Sequence, residues 1–368
     1  MTGPAKACRD TRKDFVMKKI VFTGGGTAGH VTPNIALIDF MQAQGYEIAY
    51  IGSKDGIEKQ LITELGVPYY GVSSGKLRRY FSWKNFTDPF RVLKGCHEAR
   101  KIMKELKPDV CFSKGGFVSV PVVRAAAKCK VPTVIHESDM TPGLANRIGM
   151  HYADKVCCNF EETLPHLKGK GVHTGTPIRK ELFLGSREEG LKTVGFSADK
   201  PVILCVGGST GSVVLNNAVR SILPKLLPDF QVLHLCGKGK SDPSITLSGY
   251  VQLEYANREM KDFLAMADVV ISRAGANAIC ELLALRKPNL LIPLSKNASR
   301  GDQILNADSF KAQGFSEVLY EEDITEETLY DALRTVYDNR ENYIGTMREK
   351  QSEDSATIIG KLLLSLSK

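Results

Sequence analysis

The sequence predicts an α/β protein of two doubly wound parallel-sheet domains that face each other across a cleft. Three observations carry that prediction. Short β-type runs alternate with amphipathic helical runs along nearly the whole chain, which is the pattern of a parallel sheet covered on both faces. The pattern starts again near Pro201. Each series opens with the same device, a strand, a glycine-rich turn and a helix: IVFTGGGTAGH in the first, VILCVGGSTGS in the second. Such sheets bind ligands beyond the carboxyl ends of their strands, so two facing glycine turns place the expected active site between the domains.

In the first series the strands lie in KKIVFTG, EIAYIG, PDVCFSKGG and VPTVIHES, with VPVVRAAAK as an intervening helix. The first helix has Thr32 as its expected N-cap, Pro33 at a position where a missing N–H costs nothing, and Gly45 at its end. In the second series the strands lie in PVILCVGGSTG, FQVLHLCGKG, VQLEY, ADVVISRAG and PNLLIPLS, and helices close the chain. The join falls near TGTPIRKELF, residues 174–183, where a glycine and a proline interrupt the pattern.

Bulk properties agree with two domains. A chain of 368 residues, 43% hydrophobic and 24% charged, is globular and too long for one ordinary core. No apolar run approaches the roughly 18 residues that span a bilayer. Residues 1–16 lack the apolar stretch of a secretory signal and read as a disordered tail or a misassigned start before Met17. The nine cysteines are scattered with no CxxC pair, and Cys111, Cys205, Cys236 and Cys280 lie in apolar segments. That usage points to a reducing compartment and away from a zinc site. The formal net charge of +8 points to an acidic partner: nucleic acid, a membrane surface or a phosphorylated substrate.

Gly24, Gly26 and Gly29 spell GxGxxG, the mark of dinucleotide folds. A dinucleotide site also needs an acid closing the second strand, about 20 residues past the loop, to hold ribose hydroxyls. Here EIAYIGS ends in Gly52-Ser53, with Glu47 at its start and Asp55 beyond it, so the acid is misplaced. No GxxxxGK[ST] occurs either. What survives is an anion site: glycines let backbone N–H groups approach, the following helix turns its positive end to the ligand, and His30 sits at the mouth. The segment ADVVISRAGANAICELLALRKP, residues 267–288, supplies a second helix start near Gly275. Glu281 lies roughly 7 to 8 Å into that helix, at 1.5 Å per residue. The distance suits a diphosphate at the helix start and a ribose at the carboxylate. A glutamate on a solvated helix face is the plainer reading.

GGGTAGHVTP, SKGGFVSVP, HESDMTPGLANR, TGTPIR, VGGSTGSVVLN, SRAGANAICE and GDQILNA occur together in an order and spacing that resemble the MurG family, the bacterial peptidoglycan N-acetylglucosaminyltransferases. The resemblance runs from about Lys18 to the end. It implies a GT-B fold of two Rossmann-like domains. The implied reaction is an inverting transfer of N-acetylglucosamine from UDP-N-acetylglucosamine to the C4 hydroxyl of the muramyl sugar of lipid I, giving lipid II and UDP. No cofactor and no catalytic metal are implied, and the chain has no DxD motif. The implied location is peripheral, on the cytoplasmic side of the cell membrane, with other cell-wall and division proteins as partners. The expected division is an acceptor and membrane domain at 17–177, a UDP-sugar domain at 178–352, and a C-terminal helix at about 353–368 packing back on the first domain.

Carried over by motif, Thr27, Ala28 and Gly29 meet the donor, with His30 beside them. Asp139 in HESD binds donor where relatives often have Asn, although an ionised Asp can only accept. Asn146 is a binding residue whose plain alternative is to cap a turn. Arg179 and Ser209 suit a diphosphate. Asn257 offers its backbone to the uracil edge. Gly275, Ala276, Asn277, Ala278, Ile279 and Cys280 form the helix start at the diphosphate, and Glu281 takes the ribose. Asp302 and Gln303 face sugar hydroxyls, Asp302 standing where some relatives have Gln. For the general base the first candidate is His30, with Asp139 and Glu137 as rivals.

The stretch KLRRYFSWKNFTDPFRVLK, residues 76–94, interleaves basic residues with Tyr80, Phe81, Trp83, Phe86 and Phe90, which suits an anionic membrane surface. An ordinary half-buried helix is its plain alternative. The rival functions are another GT-B enzyme, either a lipid glycosyltransferase or a UDP-N-acetylglucosamine 2-epimerase, and a nicotinamide dehydrogenase. A basic module binding nucleic acid, a partner not expected here, is the third.

Overall fold

The computed structural model describes residues 17–75, 84–208, 210–296, 301–350 and 354–367. Two parallel sheets organise them. The first contains β1 (Lys19–Thr23), β2 (Glu47–Ser53), β3 (Tyr69–Val72), β4 (Val110–Ser113), β5 (Thr133–Glu137), β6 (Lys155–Cys158) and β7 (Gly171–His173), in the spatial order β3-β2-β1-β4-β5-β6-β7. Its helices are α1 (Thr32–Ala43), α2 (Ile57–Thr63), α3 (Lys84–Leu106), α4 (Ser119–Lys128) and α5 (Leu144–Gly149). β1 pairs with both β2 and β4 in parallel, so the strand order turns at β1 and opens a crevice at its carboxyl end.

Past α6 (Arg187–Val194), the second sheet contains β8 (Val202–Val206), β9 (Gln231–Leu235), β10 (Tyr250–Leu253), β11 (Val269–Ser272), β12 (Asn289–Leu291) and β13 (Glu317–Val318), in the order β10-β9-β8-β11-β12-β13. Its helices are α7 (Val213–Leu226), α8 (Met260–Met266), α9 (Ala276–Ala284), α10 (Asp302–Ala312), α11 (Glu326–Asp338) and α12 (Arg340–Glu349). Here the order turns at β8, beside β11 and the start of α9. Both expected doubly wound sheets are present.

Alternation along each strand fills both faces of each sheet. In the first, Ile20 and Phe22 point to one side and pack with Leu37, Ile38 and Met41 of α1, while Val21 joins Met103, Val122 and Ala126 on the other. The last helix, α13 (Ser355–Leu366), belongs to the first sheet: Ile359 and Leu363 enter the core that contains Leu37 and Phe112. Its N-cap Asp354 accepts from the Ala356 and Thr357 N–H groups.

Two local expectations need correction. Thr32 is the first helical residue of α1 and Val31 holds the cap position without a side-chain hydrogen bond, because the short 3-10 turn Ala28–His30 runs straight into the helix. Strands β3, β6, β7 and β13 also join the sheets beyond those read in the sequence. Each has four residues or fewer, too short to show a period. Tyr80, Phe81 and Trp83 lie outside the described residues. Among those described, no helix is long and apolar enough to cross a membrane.

Candidate active site

On the first domain the site is built from the loops that leave β1, β4 and β5. The β1 loop ends in the turn holding Ala28, Gly29 and His30, and His30 Nδ1 lies 3.0 Å from Thr27 Oγ1. Burial, reinforced by the Lys114 charge, pushes the His30 pKa down to about 4. The ring is therefore neutral at pH 7 and able to take a proton.

Lys114, the first residue past β4, is 1% exposed. Its ammonium lies 2.7 Å from His136 Nδ1 and donates to Ser138 Oγ at 2.8 Å and to Thr176 Oγ1 at 3.2 Å. These partners are neutral, and burial pulls the lysine down to about 7. His136 gives its other ring N–H to the Gly175 carbonyl at 2.8 Å, so both of its nitrogens are satisfied in one tautomer.

Glu137 closes β5 and holds the next loop. Its Oε1 accepts the N–H groups of Ser138 and Asp139 at 2.9 and 3.1 Å, and its Oε2 accepts Gly143 N–H and Asn146 Nδ2 at 2.9 Å each. Acting as a base would first break these bonds. Burial raises its pKa, opposed by the same donors. Asn146 is buried and also donates to the His136 carbonyl at 3.0 Å. It thus anchors the strand end from within.

On the second domain α9 starts at Ala276 after Gly275, whose cap position has no side-chain hydrogen bond. The first-turn N–H groups lack intrahelical acceptors and carry the positive end of the helix dipole. Ala276 and Ile279 turn their side chains into the core, so they can serve a ligand only through backbone; Asn277, Ala278 and Cys280 are half-buried. Burial raises the Cys280 thiol to about 12. Glu281 meets Arg179, with Nη2 3.8 Å from Oε1, while Arg179 Nη1 holds Glu181 at 2.8 Å. Burial raises the Glu281 pKa and the guanidinium opposes it.

The remaining predicted residues are placed unequally. Asp302 starts α10 and accepts from Thr141 Oγ1 at 3.0 Å, and Gln303 accepts Leu294 N–H at 3.1 Å. Asn257 is exposed, and its backbone is engaged locally: N–H to Glu259 Oε2 at 3.1 Å, and its carbonyl accepting Met260 N–H at 3.3 Å. Ser209 lies outside the described residues.

The two sets of loops touch. Asn277 Nδ2 donates to the Gly29 carbonyl at 2.6 Å, and Thr176 Oγ1 donates to Asn277 Oδ1 at 3.4 Å. Asn306 Nδ2 donates to Asp139 Oδ1 at 3.3 Å, the accepting role that an Asp can fill. Sequence reasoning missed Lys114, Thr176 and Asn306. A lysine directly after a strand and before two glycines was a usable signal for the first; the other two lie inside TGTPIR and GDQILNA, where the motif marked the segment but not the residue. Among the described residues no group of three His, Cys, Asp or Glu is placed to hold a metal ion.

Residues 20–158 match the N-terminal domain of glycosyltransferase family 28, and residues 202–362 match its C-terminal domain. The chain belongs to glycosyltransferase family 28. Within the family it is 63% identical over 354 residues to the UDP-N-acetylglucosamine–N-acetylmuramyl-(pentapeptide) pyrophosphoryl-undecaprenol N-acetylglucosamine transferase of Lachnospira eligens, covering 96% of this chain and 100% of that one. The Clostridium tetani transferase of the same name is 58% identical over 333 residues, 90% of this chain and 93% of the other. A crystal structure of Acinetobacter baumannii MurG superposes with a TM-score of 0.73 at 25% identity, over 95% and 99% of the two chains. A putative UDP-N-acetylglucosamine 2-epimerase from Listeria monocytogenes, at TM-score 0.66 and 11% identity over 93% and 95%, shares the fold alone. This family 28 chain is a GT-B glycosyltransferase, and the dehydrogenase reading of GxGxxG falls.

Proposed function

We propose that this family 28 enzyme transfers N-acetylglucosamine from UDP-N-acetylglucosamine to the C4 hydroxyl of the muramyl sugar of lipid I, giving lipid II and UDP with inversion. End-to-end identity of 63% to a transferase of that name carries the reading. In this account UDP rests on the second domain. The diphosphate faces the first turn of α9, where fixed N–H dipoles favour the charge that grows on the leaving phosphate. Glu281, steadied by Arg179, takes the ribose. Asp302 and Gln303 meet the sugar, with Thr27 to Gly29 across the cleft.

A single displacement needs base and leaving group on opposite sides of the sugar. His30 and α9 stand on opposite domains, and the Gly29–Asn277 contact brings their loops together. His30 takes the acceptor proton; of its rivals, Glu137 is committed to its loop and Asp139 to Asn306. A diphosphate arriving nearby favours the imidazolium, which offsets the depression of the His30 pKa by burial and Lys114.

The lipid acceptor places the enzyme on an anionic membrane surface, on the cytoplasmic side. Phe90 and Leu93 are exposed at 74% and 57% on α3, with Arg91 and Lys94 beside them. Other cell-wall and division proteins as partners rest on the family resemblance alone. The test is UDP release on mixing with UDP-N-acetylglucosamine and a soluble lipid I analogue. Release only when acceptor is present supports the account; acceptor-independent hydrolysis or epimer formation contradicts it.

A further inference from the structure

Glu58, the second residue of α2, is 0% exposed, and no step of the proposed transfer uses it. Its Oε2 accepts Gly26 N–H at 3.2 Å, and its Oε1 accepts Ser53 N–H at 3.0 Å and the Ser53 hydroxyl. These donors are backbone and hydroxyl groups of the kind that cradle phosphates. Gly26 belongs to the first glycine turn and Ser53 ends β2, so the carboxylate bridges the carboxyl ends of β1 and β2. Dinucleotide folds hold the ribose and pyrophosphate there, between the glycine turn and an acid at the end of the second strand.

The glycines fit this occupant. A Cβ on Gly25 or on Gly56 would run into the Glu58 carboxyl oxygens, so these two positions leave the space in which the carboxylate lies. The acid that seemed misplaced in the sequence is therefore present, delivered from α2. It points into the seat instead of standing at its rim.

We propose that Glu58 is a built-in anion: its carboxylate fills the anion seat of the first glycine turn, closes that seat to phosphates, and fixes the turn that presents His30. The occupied seat stands independently of the reaction. Only its consequence, that nucleotide is confined to the second domain, rests on the proposed function.

The test uses the full chain and needs no activity. Glu58→Ala removes the atoms of an acetate ion and exposes the donors, whereas Glu58→Gln keeps the seat filled. Melting temperatures of both variants and the parent are compared in phosphate, acetate and chloride at about 50 mM and matched ionic strength. Phosphate and acetate should each raise the Glu58→Ala variant by about 2–4 °C over chloride, with shifts under about 1 °C for the parent and Glu58→Gln. Rescue by acetate alone, rescue by neither ion, or an equal response in all three proteins overturns the proposal. If Glu58→Ala is recovered only unfolded, refolding in phosphate but not in chloride supports it, and failure in both overturns it.

Discussion

Replacing Glu281 by Ala should abolish the enzyme's ability to tell a ribonucleotide donor from its 2′-deoxy counterpart. The carboxylate is half-buried on α9 and its nearby cation, Arg179 Nη2, is 3.8 Å away, too far for a full hydrogen bond, which leaves lone pairs for a ligand. A hydrogen bond to a charged acceptor contributes about 1.5–3 kcal/mol. At 1.4 kcal/mol per factor of ten, losing it raises the KM for UDP-N-acetylglucosamine about 10- to 100-fold. The assay is steady-state UDP release at saturating acceptor analogue, with the ribose and deoxyribose donors run on parent, Glu281→Gln and Glu281→Ala. The parent should prefer the ribose donor by the same factor, Glu281→Gln less so, and Glu281→Ala hardly at all, because the two deletions remove one interaction. Undiminished preference in Glu281→Ala would refute the assignment.

Three further outcomes follow from the geometry. Lys114→Met removes a charge that depresses His30, so the acid limb of the kcat/KM profile should move to higher pH; an unmoved limb would take His30 out of the base role. His30, His136 and His234 all have folded-state pKa values below their ordinary 6.5, with burial pushing His234 to about 3. The unfolded chain then binds more protons, so their contribution is intact above about pH 6.5 and is lost as pH falls toward 4; a melting temperature that stays flat from pH 7 to 4.5 would contradict this. Changing Phe90 and Leu93 together to Ser should cut co-sedimentation with anionic vesicles while melting temperature and UDP binding hold, and unchanged sedimentation would remove α3 from the membrane face.

The strands legible in the sequence, such as β1, β5 and β8, lie in apolar runs bounded by turn residues, and β10 and β12 were read in the same way with only four and three residues. KVCC and GVH were lost because runs of four and three residues show no period, and GVH is only half-buried with His173 exposed. Features set by local sequence, such as the start of α9 and the position of Glu281 on that helix, could be placed from motif and helix rise. Those whose meaning depends on partners distant in sequence could not. Glu137 offered itself as a base, and only the folded loop shows its oxygens committed to Gly143 and Asn146. Lys114 looked like part of a turn, yet its role comes from His136 and Thr176 on other strands and loops. Glu58 sits where a periodic helix reading sees only one more surface acid, and its burial is a consequence of the chain folding back.

The central claim is that the sugar passes directly from UDP, held at α9, to an acceptor hydroxyl served from the first domain. Nuclear magnetic resonance of the product formed from UDP-N-acetylglucosamine and a lipid I analogue tests it most directly. A β-linked N-acetylglucosamine on the muramyl C4 oxygen, with one UDP per linkage, is the predicted result. An α linkage, or free sugar in place of the disaccharide, would contradict it.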